Sequence, residues 1–157
     1  MDWTLPAVAF TISGIFLIWV RSKFNLLKGK KKQSGTNSNH DEKLLQSIYN
    51  RVILLLEEDK IFLNKQIKVS DLAAEINQNE KMVSRAINKY SNGNFNAFIN
   101  SFRVEYSKEL MTSGRLDHYT IEAIAEESGF ANKVSFYNAF KSDTGMSPKQ
   151  FRASKQP

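Results

Sequence analysis

One arrangement of apolar and turn residues occurs twice in this 157-residue chain and restricts the fold more than any other feature. Residues 71–90 (DLAAEINQNEKMVSRAINKY) and 121–141 (IEAIAEESGFANKVSFYNAFK) each combine a short segment with helical spacing of apolar residues, a brief turn and a longer helical segment. In each copy, an aliphatic residue and an alanine precede an asparagine suited to cap the longer segment: Leu72-Ala73 before Asn79, and Ile124-Ala125 before Asn132. Two helix-turn-helix units are therefore predicted.

A long helix is predicted between the two units, because aromatic and aliphatic residues recur there at spacings of three or four, as Phe95, Phe98 and Phe102 illustrate. We expect these side chains to pack in the core. No strand-like alternation is sustained over residues 42–157, so the fold is predicted to be all-α with seven to eight helices. The predicted parts are a leading helix and loop (42–69), the first helix-turn-helix (70–93), a linker helix (94–113), and the second helix-turn-helix with a C-terminal helix (119–157).

Capping residues set the predicted helix boundaries. Serine, threonine and asparagine side chains accept hydrogen bonds from the free N–H groups of a first helical turn, and glycine takes the left-handed conformation that ends many helices. The predicted N-caps are Ser70, Asn79, Thr120 and Asn132, and the predicted stops are Gly93 and Gly145.

The residue types argue against catalysis. The chain has no cysteine, which excludes disulfides, thiolate metal sites and a cysteine nucleophile. Its two histidines, His40 and His118, lie in segments that look like linker and loop. We therefore expect no enzyme activity, metal or cofactor, and no small-molecule ligand is evident.

The net charge of +6 is unevenly distributed. Six basic residues lie between residues 21 and 32 with no acidic one, whereas residues 33–157 hold sixteen basic and fifteen acidic residues. The last part, residues 133–157, is basic again, with five basic residues against one acidic. The two local basic segments are therefore better indications of a polyanionic partner than the total charge.

Residues 3–20 (WTLPAVAFTISGIFLIWV) contain no charged side chain. Eighteen residues in a helix span about 27 Å, close to the hydrocarbon thickness of a bilayer, and Trp3 and Trp19 occupy interfacial positions. The basic run that follows predicts that the rest of the chain faces the cytoplasm. The sequence thus predicts a single-pass transmembrane segment (1–20) in the cytoplasmic membrane and a basic juxtamembrane linker (21–41), with membrane lipid as a partner of residues 3–20.

Two other interpretations of the apolar segment stay open. A cleaved signal peptide would normally carry basic residues before its apolar stretch, whereas this chain begins Met1-Asp2. A buried helix of a soluble fold would leave the six basic residues unexplained. The basic run itself suits either contact with anionic lipid or nonspecific contact with DNA.

The second unit carries a family resemblance. Ile124-Ala125, Gly129-Phe130, a Phe136/Phe140-Lys141 helix, Gly145-x-Ser147-Pro148 and Phe151-Arg152 together resemble the C-terminal motif of the AraC family of bacterial transcription regulators. The first unit is similar to the family's through Leu72-Ala73, Ser84-Arg85, Gly93-x-Phe95 and Arg103, so that the resemblance covers about residues 70–152. The chain departs from the family at Ile87-Asn88, where many members carry Phe-Lys, and at Asn138, where arginine is common. A hydrophobic segment and linker stand where the family usually has a ligand-binding barrel, as in membrane-tethered relatives.

Helix geometry and the resemblance together predict which residues contact DNA. A recognition helix fits the major groove, and polar side chains on its outer face can contact base edges. We expect Arg85 to contact guanine or phosphate, Asn88 to pair with adenine and Val134 to touch a thymine methyl, while Lys133, Lys141 and Lys149 meet phosphates. A solvated helix face is the alternative for each. The predicted DNA-binding residues are Lys81, Ser84, Arg85, Asn88, Lys89, Lys133, Val134, Ser135, Asn138 and Lys141.

The sequence therefore predicts a membrane-tethered, sequence-specific regulator that binds double-stranded DNA. The linker helix is about 28 Å long, and together with its turns it could separate the two recognition helices by ~34 Å, one turn of B-DNA, so that they enter successive major grooves. The resemblance implies that the protein activates transcription by contacting RNA polymerase. A homodimer stays open, and the alternative function is a membrane-anchored helical protein-interaction module without specific DNA binding.

Overall fold

The computed structural model describes residues 36–91, 93–113 and 119–155, all of which lie in one compact unit. All regular secondary structure among these residues is helical, and no strand occurs among them, which confirms the all-α prediction for this part of the chain. A 3-10 turn, Ile61–Leu63, separates the first two helices. The seven helices are α1 (Thr36–Asp59), α2 (Val69–Glu75), α3 (Glu80–Tyr90), α4 (Phe95–Thr112), α5 (Ile121–Glu127), α6 (Lys133–Thr144) and α7 (Pro148–Lys155).

The linker helix α4 supplies core residues to both helix-turn-helix units. Near its start, Phe98 is buried and its ring lies 5.7 Å from that of Tyr49 on α1. Further along, Val104 and Met111 belong to a buried cluster that includes Phe136 and Phe140 of α6. The aromatic stripe predicted on this helix is therefore core packing at Phe98 and Phe102.

The leading helix α1 packs on the first unit. Its Val52 and Leu56 are fully buried, and the ring of Tyr49 lies 5.5 Å from that of Tyr90 at the end of α3. The Arg51 guanidinium donates to the carbonyl of Ile76 at the end of the α2 segment, at 2.5 Å. Because these contacts reach both α2 and α3, α1 is part of the structural support of the first unit.

Three sequence-predicted boundaries differ from the structure. The helix predicted from residue 42 begins at Thr36, so the last six residues of the predicted linker 21–41 are helical. No glycine or proline lies between Thr36 and Asp59, and extending a helix whose later turns are already packed costs little.

Ser70 is inside α2 rather than its N-cap. The helix begins at Val69, because the carboxylate of Asp71 accepts a hydrogen bond from the N–H of Lys68 at 2.8 Å and fixes an earlier start. Gly93 does not have a positive φ; a Cβ there would meet the Cβ of Ala97 at 2.9 Å. Glycine is therefore favoured at position 93 by the close approach of Ala97 and not by a left-handed backbone conformation.

The other predicted caps are confirmed. Asn79, Thr120 and Asn132 each accept a backbone N–H in the first turn of the helix that follows. Gly145 ends α6 with φ of 75°.

The predicted transmembrane segment, residues 1–20, and most of the linker lie outside the described residues. Within the ranges that the structure describes, no helix combines the length and apolar character needed to cross a membrane.

Candidate nucleic-acid interface

The first helix-turn-helix unit consists of α2 and α3. The turn between them is closed by the N–H of Gln78, which donates to the carbonyl of Ala73 at 2.8 Å, and the Asn79 side chain caps α3 by accepting the N–H of Lys81 at 2.9 Å. Val83 and Ile87 on α3 are fully buried. Since this side of the helix belongs to the core, the opposite side faces solvent.

The α3 outer face carries the five residues predicted for this unit: Lys81, Ser84, Arg85, Asn88 and Lys89. All are exposed except Ser84, which is partly buried. Lys89 also has an intramolecular partner that the sequence did not predict, because its Nζ lies 3.1 Å from the Glu42 carboxylate of α1. The Tyr90 hydroxyl donates to the carbonyl of the same Glu42 at 3.1 Å, so the C-terminal end of α3 is tied to the leading helix.

The second unit repeats the arrangement with α5 and α6. The Thr120 side chain caps α5 through the N–H of Ala123 at 3.1 Å, and the Asn132 side chain caps α6 through the N–H of Ser135 at 2.8 Å. The rings of Phe136 and Phe140 are fully buried, with centroids 5.5 Å apart. These two residues hold one side of α6 in the core.

The α6 outer face carries the five residues predicted for the second unit: Lys133, Val134, Ser135, Asn138 and Lys141, all exposed. Val134 has 69% of its surface exposed although it is apolar. An exposed aliphatic group in the first turn of a recognition helix has no packing role, and it suits contact with a thymine methyl.

Lys133 is engaged by an acidic neighbour. Its Nζ forms an ion pair with the carboxylate of Glu122 on α5 and lies 5.5 Å from the centroid of the Tyr137 ring. The hydrogen bond from Lys133 lowers the pKa of Glu122, and the same bond raises the pKa of Lys133. Both groups therefore stay charged at neutral pH.

A hollow of about 440 Å³ opens beside this ion pair. Arg152 is not among the DNA-binding residues predicted from the sequence; its guanidinium donates to the carbonyl of Tyr119 at 2.5 Å. The basic bias of residues 133–157 was the available signal for it. The hollow is lined by Thr120, Ile121, Glu122, Lys133, Tyr137, Lys149 and Arg152.

A buried arginine joins the loop after α1 to the linker helix. Arg103 of α4 is only 8% exposed; its Nε donates to the carbonyl of Phe62 at 2.7 Å and its Nη2 to the carbonyl of Asn64 at 2.9 Å. Its guanidinium carbon lies 5.7 Å from the centroid of Phe130 in the second unit. Burial lowers the pKa of Arg103. Arg103, which is one of the residues that carry the family resemblance, therefore connects the loop to the protein interior and does not lie on an outer face.

The same loop lies directly against the turn of the second unit. A Cβ placed on Gly129, whose φ is 80°, would be 2.8 Å from the backbone of Leu63 and Phe62. Nearby, Lys65 pairs with Glu126 of α5 at 2.7 Å. Loop 60–66 therefore contacts both the linker helix and the second unit, and it positions one against the other.

Comparison with known proteins agrees with this geometry. Residues 72–154 match the family described as a helix-turn-helix domain. The chain is 28% identical over 109 residues to an uncharacterised HTH-type transcriptional regulator of Staphylococcus aureus (strain COL), covering 68% of this chain but 14% of that regulator. It is 32% identical over 83 residues to the TCP pilus virulence regulatory protein of Vibrio cholerae, covering 52% of this chain and 28% of that protein.

A solved structure extends the likeness to the fold. The C-terminal domain of AraT, a response regulator from Geobacillus stearothermophilus, superposes with a TM-score of 0.60 at 27% identity, over 72% of this chain and 89% of that domain. The matched family, these relatives and the duplicated helix-turn-helix agree with one another. The chain therefore belongs to the AraC-type helix-turn-helix family of DNA-binding transcription regulators.

Proposed function

We propose that this chain binds duplex DNA sequence-specifically, with the α3 and α6 outer faces in the major groove, and thereby regulates transcription. One observation carries the proposal: two capped helices each bury one side in the core and leave polar and basic side chains on the other. Arg85 and Asn88 in the first unit and Asn138 in the second have the donors and acceptors that match base edges. Membership of the family supports the same function.

The rival function, a helical protein-interaction module, makes a different prediction in a salt titration. Contacts between lysines and phosphates release counterions, so the binding constant for DNA falls steeply as salt is added. The logarithm of the binding constant falls with the logarithm of the salt concentration, with a slope of about −0.9 per phosphate contacted. In the test, the full-length protein selects its preferred duplex from a random pool. Binding to this selected duplex and to a scrambled duplex of the same composition is then measured over a range of salt concentrations. A flat slope without sequence preference supports the rival.

Replacing Arg85 or Asn138 with alanine is expected to weaken binding to the selected duplex by about 1–3 kcal/mol each, because each loses a base contact. Binding to the scrambled duplex is expected to change little. Gel-shift or anisotropy titrations on both duplexes measure the effect. An equal loss on both would make these residues backbone contacts instead.

Activation through contact with RNA polymerase is part of the proposal, and it rests on the family resemblance alone. Transcription in vitro from a promoter with the selected site tests the sign of the effect. More transcript with the protein than without it supports activation, and less transcript contradicts it.

We also propose that residues 3–20 anchor the chain in the cytoplasmic membrane. The support is their uncharged length, the terminal tryptophans and the basic run that follows. Replacing Ile15 with aspartate is expected to release the protein from membranes washed with alkaline carbonate, because a carboxylate in the interior of a span costs up to about 3.5 kcal/mol, the upper value at its centre.

The matched control is Leu54→Asp, which places the same charge on an exposed residue of α1. This variant is expected to stay with the membrane fraction. Equal amounts of wild type and Ile15→Asp in the wash would contradict the anchor.

A further inference from the structure

The hollow beside α6 has the charges of an anion site. Lys133, Lys149 and Arg152 contribute three positive charges and Glu122 one negative charge, while Tyr137 and Thr120 add hydroxyl groups. The hollow adjoins the first residue of α6. A polyanion that brings its grooves to α6 therefore also brings its backbone near these cations.

The negative charge of Glu122 opposes the binding of such an anion. Its carboxylate accepts the hydrogen bond of Lys133, and Lys149 is close enough to lower the pKa of Glu122 further. Carboxylate and phosphate oxygens accept the same donors. A phosphate that enters the hollow must therefore either take Lys133 from Glu122 or lie beside a negative charge.

We propose that the hollow seats one backbone phosphate of duplex DNA and that Glu122 competes with it for Lys133. Glu122 thereby lowers the affinity for every duplex without contributing to the choice of sequence. A carboxylate of this kind weakens nonspecific binding, which depends on phosphate contacts alone. This inference rests on the proposed function, because it needs a duplex on the α6 outer face.

The test replaces Glu122 with glutamine in the full-length protein, held in nanodiscs of zwitterionic lipid so that the membrane does not compete for cations. We expect the binding constants for the selected and the scrambled duplex to rise by the same factor, roughly three- to tenfold at low salt. The salt dependence should steepen by up to about 0.9, the value for one phosphate contact, because Lys133 is available to the phosphate once the competing carboxylate is gone.

Glu126→Gln is the matched control. Glu126 lies on the same helix, is exposed and pairs with a lysine, Lys65, but it does not line the hollow. Its replacement by glutamine changes the net charge by the same amount. We expect it to leave the salt dependence unchanged. Equal behaviour of the two glutamine variants would show a general charge effect and overturn the inference.

Lys133→Gln supplies a second, independent measurement. In that background Glu122→Gln should raise the binding constant no more than Glu126→Gln does, because Lys133 is no longer there for Glu122 and the phosphate to compete for. Circular dichroism checks that all variants are folded. A rise in the double variant larger than that of Glu126→Gln overturns the inference, as does a change in the ratio of the binding constants for the selected and the scrambled duplex.

Three further outcomes distinguish free phosphate from backbone phosphate and this inference from the proposed function. Inorganic phosphate that binds in the hollow, with that binding lost in Lys133→Gln, but displaces the duplex no better than chloride at equal ionic strength would assign the hollow to free phosphate and overturn the backbone assignment. If wild type binds no duplex, the proposed function fails and this inference fails with it. If wild type prefers the selected duplex while Glu122→Gln matches Glu126→Gln, only this inference fails.

Discussion

Replacing Arg103 with leucine is expected to lower the free energy of unfolding by about 2–5 kcal/mol. The substitution removes the donors for the carbonyls of Phe62 and Asn64, which lie at 2.7 and 2.9 Å in the native protein. Each hydrogen bond to a charged group contributes about 1.5–3 kcal/mol, and the buried carbonyl of Phe62 without its donor costs about 1–3 kcal/mol, whereas the Asn64 carbonyl keeps the N–H of Ile67 at 3.2 Å. Thermal unfolding followed by circular dichroism should show a Tm lower by roughly 8–20 °C.

Two variants show whether the loss comes from this network. Arg103→Lys keeps the charge but cannot reach both carbonyls with the planar geometry of a guanidinium, so we expect partial recovery. Arg85→Leu removes an exposed arginine and is expected to change the Tm little. A Tm for Arg103→Leu within a degree or two of wild type would show that loop 60–66 does not depend on the arginine.

Replacing Gly129 with alanine is expected to destabilise the fold by about 2–5 kcal/mol. A residue with a side chain at a φ of 80° costs about 1–3 kcal/mol, and the new Cβ would lie 2.8 Å from the backbone of Leu63 and Phe62. Backbone cannot rotate away as a flexible side chain can, so the turn or the loop must shift. Urea unfolding of the full-length protein measures the change.

Gly145 offers a matched control for the backbone term. It has nearly the same φ, 75°, but a Cβ there meets no atom within 4 Å. Gly145→Ala is therefore expected to cost about 1–2 kcal/mol, from the conformation alone. The difference between the two alanine variants measures the contact between loop 60–66 and the second unit, and a difference near zero would contradict its close packing.

Local chemistry made most of the helices predictable. Asn79, Thr120 and Asn132 act as caps because a cap depends on N–H groups two or three residues away. The buried faces of α3 and α6 were predictable from the helical period, which also depends only on residues a few positions apart. The exposure of Arg85 and Asn138 was predictable for the same reason. Their contact with bases stays a prediction.

Boundaries and partners were less predictable. Ser70 has the chemistry of a cap, yet Asp71 sets an earlier start for α2, because two adjacent residues offered competing local hydrogen bonds. The start of α1 at Thr36 depends on packing of its later turns, which the polar composition of residues 36–41 does not show.

The sequence by itself determined the order of the helices over the described residues, their number to within one, most of their caps and the side of each recognition helix that faces solvent. Only the tertiary structure decided that Arg103 donates to a carbonyl 41 residues away and that Lys133 pairs with Glu122. The physical reason is range. Caps and helical period act within a few residues, whereas the partner of a buried arginine or an exposed lysine depends on which distant segments the packed core brings within hydrogen-bond distance.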